Sequence, residues 1–321
     1  MHRKVAAFLT VLVIYTSIFV CFIPPVTSQD STNVTIHFID VGQGDSIFID
    51  TSNIDVLIDA GSASASQTVL DYLADLDITR VHLVIATHMH ADHIGGLVDV
   101  LNSTLTIDEV LINNQTHNSD TYEYFNTTLQ THTITIAQRG QTINLTETAN
   151  LTVLNPTQPL EFSDLNDNST VVKLQAGNTS FLFTGDAEED AEQSMLISSV
   201  ASIKCDLLKV GHHGSYTATS QIFLDIVDPT DAIISAGLDN RYDHPHNVTI
   251  EKLLANNVTP YCTIASRTII VQTDGTTITF PSNPQPIPEF QTNLLIPIFA
   301  TATLLAVIVY RKKLQKHQII L

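Results

Sequence analysis

Four potential metal ligands stand within six residues of this 321-residue chain, in the segment His88-Met89-His90-Ala91-Asp92-His93. Neutral imidazoles and carboxylates are zinc ligands, and they also bind manganese and iron. The apolar run 83–86 ends just before the cluster and Gly95-Gly96 follows it, so the cluster begins at the end of a predicted strand. A turn there can aim alternate side chains at different metals. This pattern favours a metal site over a solvent-exposed histidine-rich loop.

Two later strand ends carry further candidate ligands. The run 180–183 leads into Thr184-Gly185-Asp186, and the run 206–210 leads into Gly211-His212-His213. Loops at the carboxyl ends of strands are where α/β proteins build their sites. Adjacent histidines do not easily bind the same ion. We therefore predict that His212 is the ligand, because it comes first after the strand, and that His213 lies behind it.

The remaining histidines are less constrained. His244 stands before a predicted helix, and we predict that it donates a proton to a leaving group or a phosphoryl oxygen; the alternative is a solvent-exposed loop histidine. The others have no comparable context and are interpreted as structural or solvated: His37, His82, His117, His132 and His246.

Two further motifs have competing interpretations. The segment Gly42-Gln43-Gly44-Asp45 contains only a lone Gly-x-Gly, which is weak evidence for a phosphate-binding loop. We favour a hairpin turn between two opening strands, with Asp45 bracing the site. A Ser-His-Asp triad of Ser215, His88 and Asp243 is rejected because His88 already belongs to the ligand cluster.

The elements that position these residues alternate between strands and helices. Short β-branched or aromatic runs predict strands at 34–39, 46–49, 56–58 and 83–86, with later strands near residues 111, 134, 153 and 171. Apolar residues at helical spacing predict a helix over 68–76, and another is predicted over 187–197. The pattern is that of an α/β protein.

The segment H-x-H-x-D-H resembles the signature of the metallo-β-lactamase superfamily. The resemblance implies an αββα four-layer sandwich. It also implies that His88 and His90 bind one metal, and that Asp92 and His93 bind the second.

Other motifs extend the resemblance. Asp186 corresponds to the carboxylate that bridges both metals, and His212 to the last ligand. Asp59, at the end of a strand, corresponds to a residue that braces the metal loop through hydrogen bonds. Asp92 and His244 are the candidate catalytic residues.

Three segments, 38–46, 209–215 and 240–245, resemble the soluble hydrolase domain of ComEC-type DNA-uptake proteins over about residues 34–280. Most superfamily members supply a third histidine before the bridging aspartate, but the segment 165–170 contains none. The first metal would then be bound by His88, His90 and Asp186, with Asn168 or water completing its coordination. Two divalent ions, Zn²⁺ or Mn²⁺, are expected as cofactors. Manganese is included because a site with fewer imidazoles and more oxygen ligands favours the harder ion.

Composition limits the partners. The chain has 14 Lys and Arg against 33 Asp and Glu, a formal net charge of −19. Such a surface repels polyanions at long range, which argues against avid, non-specific binding of duplex DNA. The three cysteines are too few for a disulfide framework. No protein partner is predicted.

Both ends of the chain are apolar and flanked by positive charge. We predict a signal peptide or signal anchor at 1–28, a hydrolase domain at 30–280, a proline-rich spacer at 281–293, a transmembrane helix at 294–310 and a basic cytoplasmic tail at 311–321. The positive-inside rule then places the domain outside the cell, attached to the cell membrane. Ten Asn-x-Ser/Thr sequons agree with that location. The alternative for either apolar run is a buried core helix.

These features favour a phosphodiesterase or nuclease. Two metals can activate a hydroxide between them and stabilise the charge that develops during phosphodiester hydrolysis. The expected substrate is a small phosphodiester or a single-stranded nucleic acid. The alternatives are a lactamase, lactonase or thioester hydrolase of the same fold, and a surface binding module without catalysis.

Overall fold

In the computed structural model, residues 32–198 and 200–288 are described. Within these ranges the chain forms two β-sheets. The strands of the first sheet are β1 (Val34–Phe38), β2 (Ile47–Thr51), β3 (Val56–Ile58), β4 (Arg80–Ala86), β5 (Thr106–Ile112), β6 (Ile134–Ile136), β14 (Ile269–Thr273) and β15 (Ile278–Thr279). Those of the second are β7 (Thr142–Asn144), β8 (Ala149–Asn155), β9 (Val171–Ala176), β10 (Thr179–Phe183), β11 (Leu207–Lys209), β12 (Asp231–Ile234) and β13 (Thr259–Cys262).

The two sheets are similar in that each contains a run of four parallel strands. The first has the order β15-β14-β1-β2-β3-β4-β5-β6, and its strands β3 to β6 are parallel. The second has the order β13-β12-β11-β10-β9-β8-β7, with β10 to β13 parallel. Parallel strands place their carboxyl ends at one edge of a sheet. The predicted ligands follow β4, β10 and β11, so each sheet brings ligands to one edge.

Helices cover the outer faces of both sheets. They are α1 (Ser66–Asp75), α2 (Ala91–Asn102), α3 (Asp120–Leu129), α4 (Glu189–Ile197), α5 (Gln221–Val227), α6 (Asn247–Ala255) and the single turn α7 (Thr263–Ser266). Helices α1 to α3 share a buried cluster with the first sheet, and α4 to α6 share another with the second. A third cluster contains residues of both sheets and lies between them. The predicted four-layer sandwich is therefore confirmed.

Strand β10 shows how one element serves two layers. Phe181 and Phe183 belong to the cluster between the sheets, whereas Leu182 packs beneath the helices. Successive side chains of a strand point to opposite faces, so a strand buried on both sides is an almost continuous apolar run. This is why the run predicted a strand without showing which face was which.

A close contact fixes the helix that carries the first ligand cluster. A β-carbon on Gly96 would lie 2.0 Å from the carbonyl oxygen of Ala60, so only glycine permits α2 to pack this closely against the loop after β3. The contact also allows the Gly96 amide to donate a hydrogen bond to the carbonyl oxygen of Gly61, at 2.9 Å. The glycine pair after the histidine cluster thus serves helix packing.

The proline-rich segment differs from its prediction in its first eight residues. The Ile287 amide donates a hydrogen bond to the Pro260 carbonyl, and Pro286 forms a bridge with Tyr261. The side chain of Ile287 packs against the second sheet's core cluster. Residues 286 and 287 therefore pair with β13 instead of leaving the domain, because an isoleucine among the prolines gives the segment apolar surface to bury.

Within residues 32–198 and 200–288, no helix is long and apolar enough to cross a membrane. The predicted N-terminal signal segment and C-terminal transmembrane helix lie outside the described residues.

Candidate metal centre

Two groups of potential metal ligands meet at the edge where both sheets end. One group consists of Asp45, His93, Asp186 and His213, and the other of His88, His90 and Asp186. Asp186 is common to both. One carboxylate oxygen, Oδ2, lies 3.2 Å from His93 Nε2, 3.5 Å from His213 Nε2 and 3.6 Å from His88 Nε2. Ligands from both sheets therefore converge on Asp186.

Asp59 fixes the orientation of His93. Its fully buried carboxylate accepts hydrogen bonds from the Thr87 amide at 2.9 Å and from the Thr87 hydroxyl at 2.6 Å. Asp59 Oδ2 also lies 2.7 Å from His93 Nδ1. An acceptor at Nδ1 holds the proton on that nitrogen, and Nε2 remains available to a metal. The structure thus places Asp59 behind a ligand, as the family resemblance implied.

Asp45 has a similar position behind His213. His213 Nδ1 lies 3.0 Å from the Ser235 carbonyl oxygen and 3.4 Å from Asp45 Oδ1, so Nε2 faces Asp186. The other oxygen of Asp45 lies 2.8 Å from the Nζ atom of Lys209, and both side chains are buried. Asp45 belongs to the ligand group by distance. We assign it a positioning role, because its two oxygens already face an ammonium group and the far side of an imidazole.

His88 and His90 come from the loop between β4 and α2. His88 Nδ1 lies 3.1 Å from the Thr87 hydroxyl oxygen, and His88 Nε2 lies 3.0 Å from His90 Nδ1. His88 is fully buried, whereas His90 is half-buried. The backbone at Asp186 is held by Ser169, whose hydroxyl accepts a hydrogen bond from the Asp186 backbone amide at 3.2 Å.

The structure differs from the prediction at the adjacent histidines. His213 is buried in the ligand group. The His212 side chain is 24% exposed; its Nδ1 lies 2.7 Å from Glu188 Oε1, and its Nε2 lies 3.7 Å from Asp186 Oδ2. Both residues have left-handed backbone conformations, with φ of 47° and 55°. These angles turn the chain sharply between Gly211 and Gly214, so the second histidine points inward. Strand alternation alone did not indicate this turn.

Asn168 also differs from its predicted place at the first metal. Its side-chain amide donates hydrogen bonds to the carbonyl oxygens of Phe162 at 2.7 Å and Asp164 at 2.8 Å, and its Oδ1 accepts one from the Phe162 amide. The residue is fully buried. Asn168 therefore stabilises a loop, and its side-chain groups are occupied there.

A cavity of about 350 Å³ opens in front of the ligands. Asp92, Asp186 and His213 line it together with His244 and Arg241. Asp92 Oδ2 lies 3.5 Å from His213 Nε2. The hydrogen bond and positive charges of His213 and His93 outweigh desolvation and lower the pKa of the Asp92 carboxyl. Its carboxylate therefore faces the cavity in the ionised form.

His244 stands at the side of this cavity. Its ring centroid lies 5.3 Å from that of His212 and 6.1 Å from that of His213, and the Tyr242 ring stacks on it at 5.5 Å. Burial, together with the charges of His213 and His212, lowers the pKa of His244 to about 4. At neutral pH the imidazole is therefore uncharged, and it can donate a hydrogen bond without being an imidazolium.

The protonation states of the ligand residues suit the binding of divalent cations. Burial would raise the pKa of the Asp186 carboxyl, but His213, His93 and His88 lower it well below its usual range. Burial and the neighbouring His93 lower the pKa of His88. Asp186 Oδ1 is buried and has no hydrogen-bond partner among the described residues. A carboxylate with an unsatisfied buried oxygen, surrounded by imidazole nitrogens, suits a metal ion.

Three residues around the site had no predicted role there. Lys209 belongs to a predicted strand and to the segment 209–215, and no contact was predicted for its ammonium group, although a lysine inside an apolar run is a signal for a buried ion pair. Glu188, which contacts His212, follows Asp186 by two residues and was not considered. His117 was interpreted as structural or solvated, but it lines the cavity beside His90.

The sequence matches the metallo-beta-lactamase superfamily over residues 39–237. It is 29% identical over 263 residues to ComE operon protein 3 of Bacillus subtilis, which covers 76% of this chain and 33% of that protein. Competence protein ComA of Neisseria gonorrhoeae is 27% identical over 241 residues, with 75% and 32% covered. Recombination protein 2 of Haemophilus influenzae is 31% identical over 223 residues, with 68% and 26% covered.

The chain thus spans between a quarter and a third of the length of these relatives. Their names agree with the resemblance to ComEC-type proteins seen in the motifs, which is confirmed. The ligand groups in the structure and the matched superfamily support a metal-dependent hydrolase. This chain belongs to the metallo-β-lactamase superfamily.

Proposed function

We propose that this protein is a two-metal phosphodiesterase that acts on a small phosphodiester or a single-stranded nucleic acid. The observation that carries the proposal is a cation at the mouth of the site. Arg241 is the only lysine or arginine among the described residues that line the cavity, in a chain with a net charge of −19. A guanidinium group in that place attracts an anionic substrate against the field of the remaining surface.

The ligand residues divide into two sets. We propose His88, His90 and Asp186 for one ion, and Asp92, His93, Asp186 and His213 for the other. A pair of divalent ions bound there would supply an activated water and neutralise charge on a phosphoryl group. Zn²⁺ and Mn²⁺ both suit this mixture of nitrogen and oxygen donors.

The chain's own residues complete the chemistry. Arg241 is placed to bind a phosphate oxygen at the cavity mouth. His244, which is neutral at neutral pH, is placed to donate a hydrogen bond to a phosphoryl or leaving-group oxygen. Asp59 holds the imidazole of His93, and the Ser235 carbonyl with Asp45 beside it holds that of His213, in the orientation that leaves Nε2 free.

We also propose an extracellular location with attachment to the cell membrane. The support is the charge pattern of the sequence, in which Arg3-Lys4 precede one apolar run and Arg311-Lys312-Lys313 follow the other. Added protease should digest the domain in intact cells. Protection of residues 30–285 until the cells are lysed would contradict this location.

The substrate class is tested with the purified full chain, loaded with Mn²⁺ or Zn²⁺. The panel contains bis-aryl phosphate, single-stranded DNA, a β-lactam and a lactone. We expect turnover of the phosphodiesters, and Arg241→Ala should raise KM for single-stranded DNA at unchanged metal content. Turnover confined to the β-lactam or the lactone would replace the proposal with carbonyl hydrolysis. A metal-loaded chain without turnover on any substrate would indicate a binding module.

A further inference from the structure

The first ligand group contains only three residues, His88, His90 and Asp186. Structural and catalytic zinc sites usually take at least three protein ligands, and a fourth position is completed by a further side chain or by water. Asn168 is not available for that position, because its side-chain amide and carbonyl groups are bonded to the loop 162–164. The other imidazoles of the cavity remain as candidates for the fourth position: His212, with its Nε2 3.7 Å from Asp186 Oδ2 and its Nδ1 on Glu188, and His117, beside His90.

His117 is the side chain that faces His90. Their ring centroids lie 5.9 Å apart with the planes at 86°, and both rings line the cavity in front of Asp186. His117 is half-buried and comes from the loop between β5 and α3, not from the segment 165–170. The ring must move closer to bind an ion there, because His117 is not among the residues whose ligand atoms already lie within 4.8 Å of one another.

The loop that carries His117 is anchored at both ends. At its start, the buried Asn113 side chain donates a hydrogen bond to the Asn168 carbonyl at 2.9 Å and accepts one from the Gln115 amide at 3.0 Å. At its end, the Ser119 hydroxyl accepts a hydrogen bond from the Tyr122 amide and caps α3. The Gln115 side chain also donates to the Asp164 carbonyl at 3.2 Å. These bonds join the loop to the segment 164–168, which contains no histidine.

We propose that His117 is a further ligand of the first metal, supplied by the β5–α3 loop. The imidazole completes a set of three histidines and one carboxylate around a divalent cation. This inference concerns the metal centre and does not depend on the identity of the substrate.

The test measures metal binding by the purified full chain, without reference to activity. Competition titration with a chromophoric chelator gives the affinity for each of two Zn²⁺ ions, and the visible absorption of the Co²⁺-loaded chain reports the ligand geometry. His117→Ala should weaken one ion by at least roughly 10-fold, since even the loss of an outer hydrogen-bond partner typically costs 10- to 100-fold. The other ion should keep its affinity. The control is His132→Ala, because His132 contacts Thr128 and Thr131 and does not line the cavity.

A second variant separates coordination from a structural role. His117→Cys places a thiolate, itself a strong zinc and cobalt ligand, at the same position. If the side chain reaches the ion, the Co²⁺-loaded variant should gain a sulfur-to-cobalt charge-transfer band. Unchanged affinity for both ions in His117→Ala, or a His117→Cys variant without that band, would overturn the proposal.

Discussion

The two ligand groups that share Asp186 are supported in different ways. In the inner group, His93 and His213 are fully buried, and each has a buried carboxylate behind its Nδ1 atom. In the outer group, His88 has a hydroxyl group behind it and His90 is half-buried beside the cavity. The inner group also joins the two sheets, because Asp45 precedes β2 and Lys209 ends β11.

This difference indicates how each ion should behave. Buried acceptors fix the tautomer and the ring orientation, so the inner group is preorganised and should bind its ion tightly. The outer group depends on a loop and faces the cavity, so its ion should exchange more readily. Variants that affect one group and not the other test this comparison.

The largest effect is expected for Asp186→Asn, which removes the carboxylate shared by both groups. Both ions should lose affinity, by more than roughly 100-fold each, since an amide retains one neutral acceptor where a buried anion faced two cations. Elemental analysis after dialysis measures the loss. Two ions per chain at wild-type affinity would show that Asp186 does not bridge.

His244→Ala should lower kcat by roughly 10²- to 10⁴-fold and leave both ions bound, because His244 lies beside His213 and belongs to neither ligand group. The variant is assayed on one phosphodiester with a good aryl leaving group and one with a poor leaving group. Equal losses are expected, since a neutral imidazole with a pKa of about 4 acts by donating a hydrogen bond. A much smaller loss on the good leaving group would instead indicate a general acid.

Lys209→Met should destabilise the fold by about 3–5 kcal/mol, because it leaves the Asp45 carboxylate buried without its counter-ion. Urea unfolding of the metal-free chain measures this loss. The matched control is the double variant Lys209→Met with Asp45→Asn, which retains no unpaired charge and should be more stable than the single variant. A loss below about 1 kcal/mol would show that the inner group is not supported by this ion pair.

The smallest expected effect is a difference in metal affinity between variants of the adjacent residues His212 and His213. His213→Ala should weaken the inner ion by at least about 10-fold, whereas His212→Ala should have a smaller effect on either ion, because His212 is 24% exposed and its Nε2 lies 3.7 Å from Asp186 Oδ2, against 3.5 Å for the buried His213. Titration with Zn²⁺ compares the two variants. The opposite order of effects would restore the assignment made from the sequence.

Much of the fold was predictable because its signals are local. The apolar runs before His88, Asp186 and His212 indicated strands, and their ends indicated where the ligands meet. The burial of β10 on both faces agreed with an uninterrupted apolar run. Asp59 was predicted through the family resemblance, and its contacts with Thr87 and His93 show the hydrogen bonds that such a role requires.

The sequence by itself determined the strands that lead into the ligands, the superfamily and the ligand types, since these depend on residue identity and on spacing along one strand or turn. The strands between residues 231 and 279 were not predicted. Only the tertiary structure decided which of two adjacent histidines points inward, because that choice depends on the left-handed angles between Gly211 and Gly214. It alone paired Lys209 with Asp45 and brought His117 beside His90, since these contacts join residues 164 and 27 positions apart. Spacing along the chain carries no information about such distant pairs, and only the packing of the two sheets and their loops creates them.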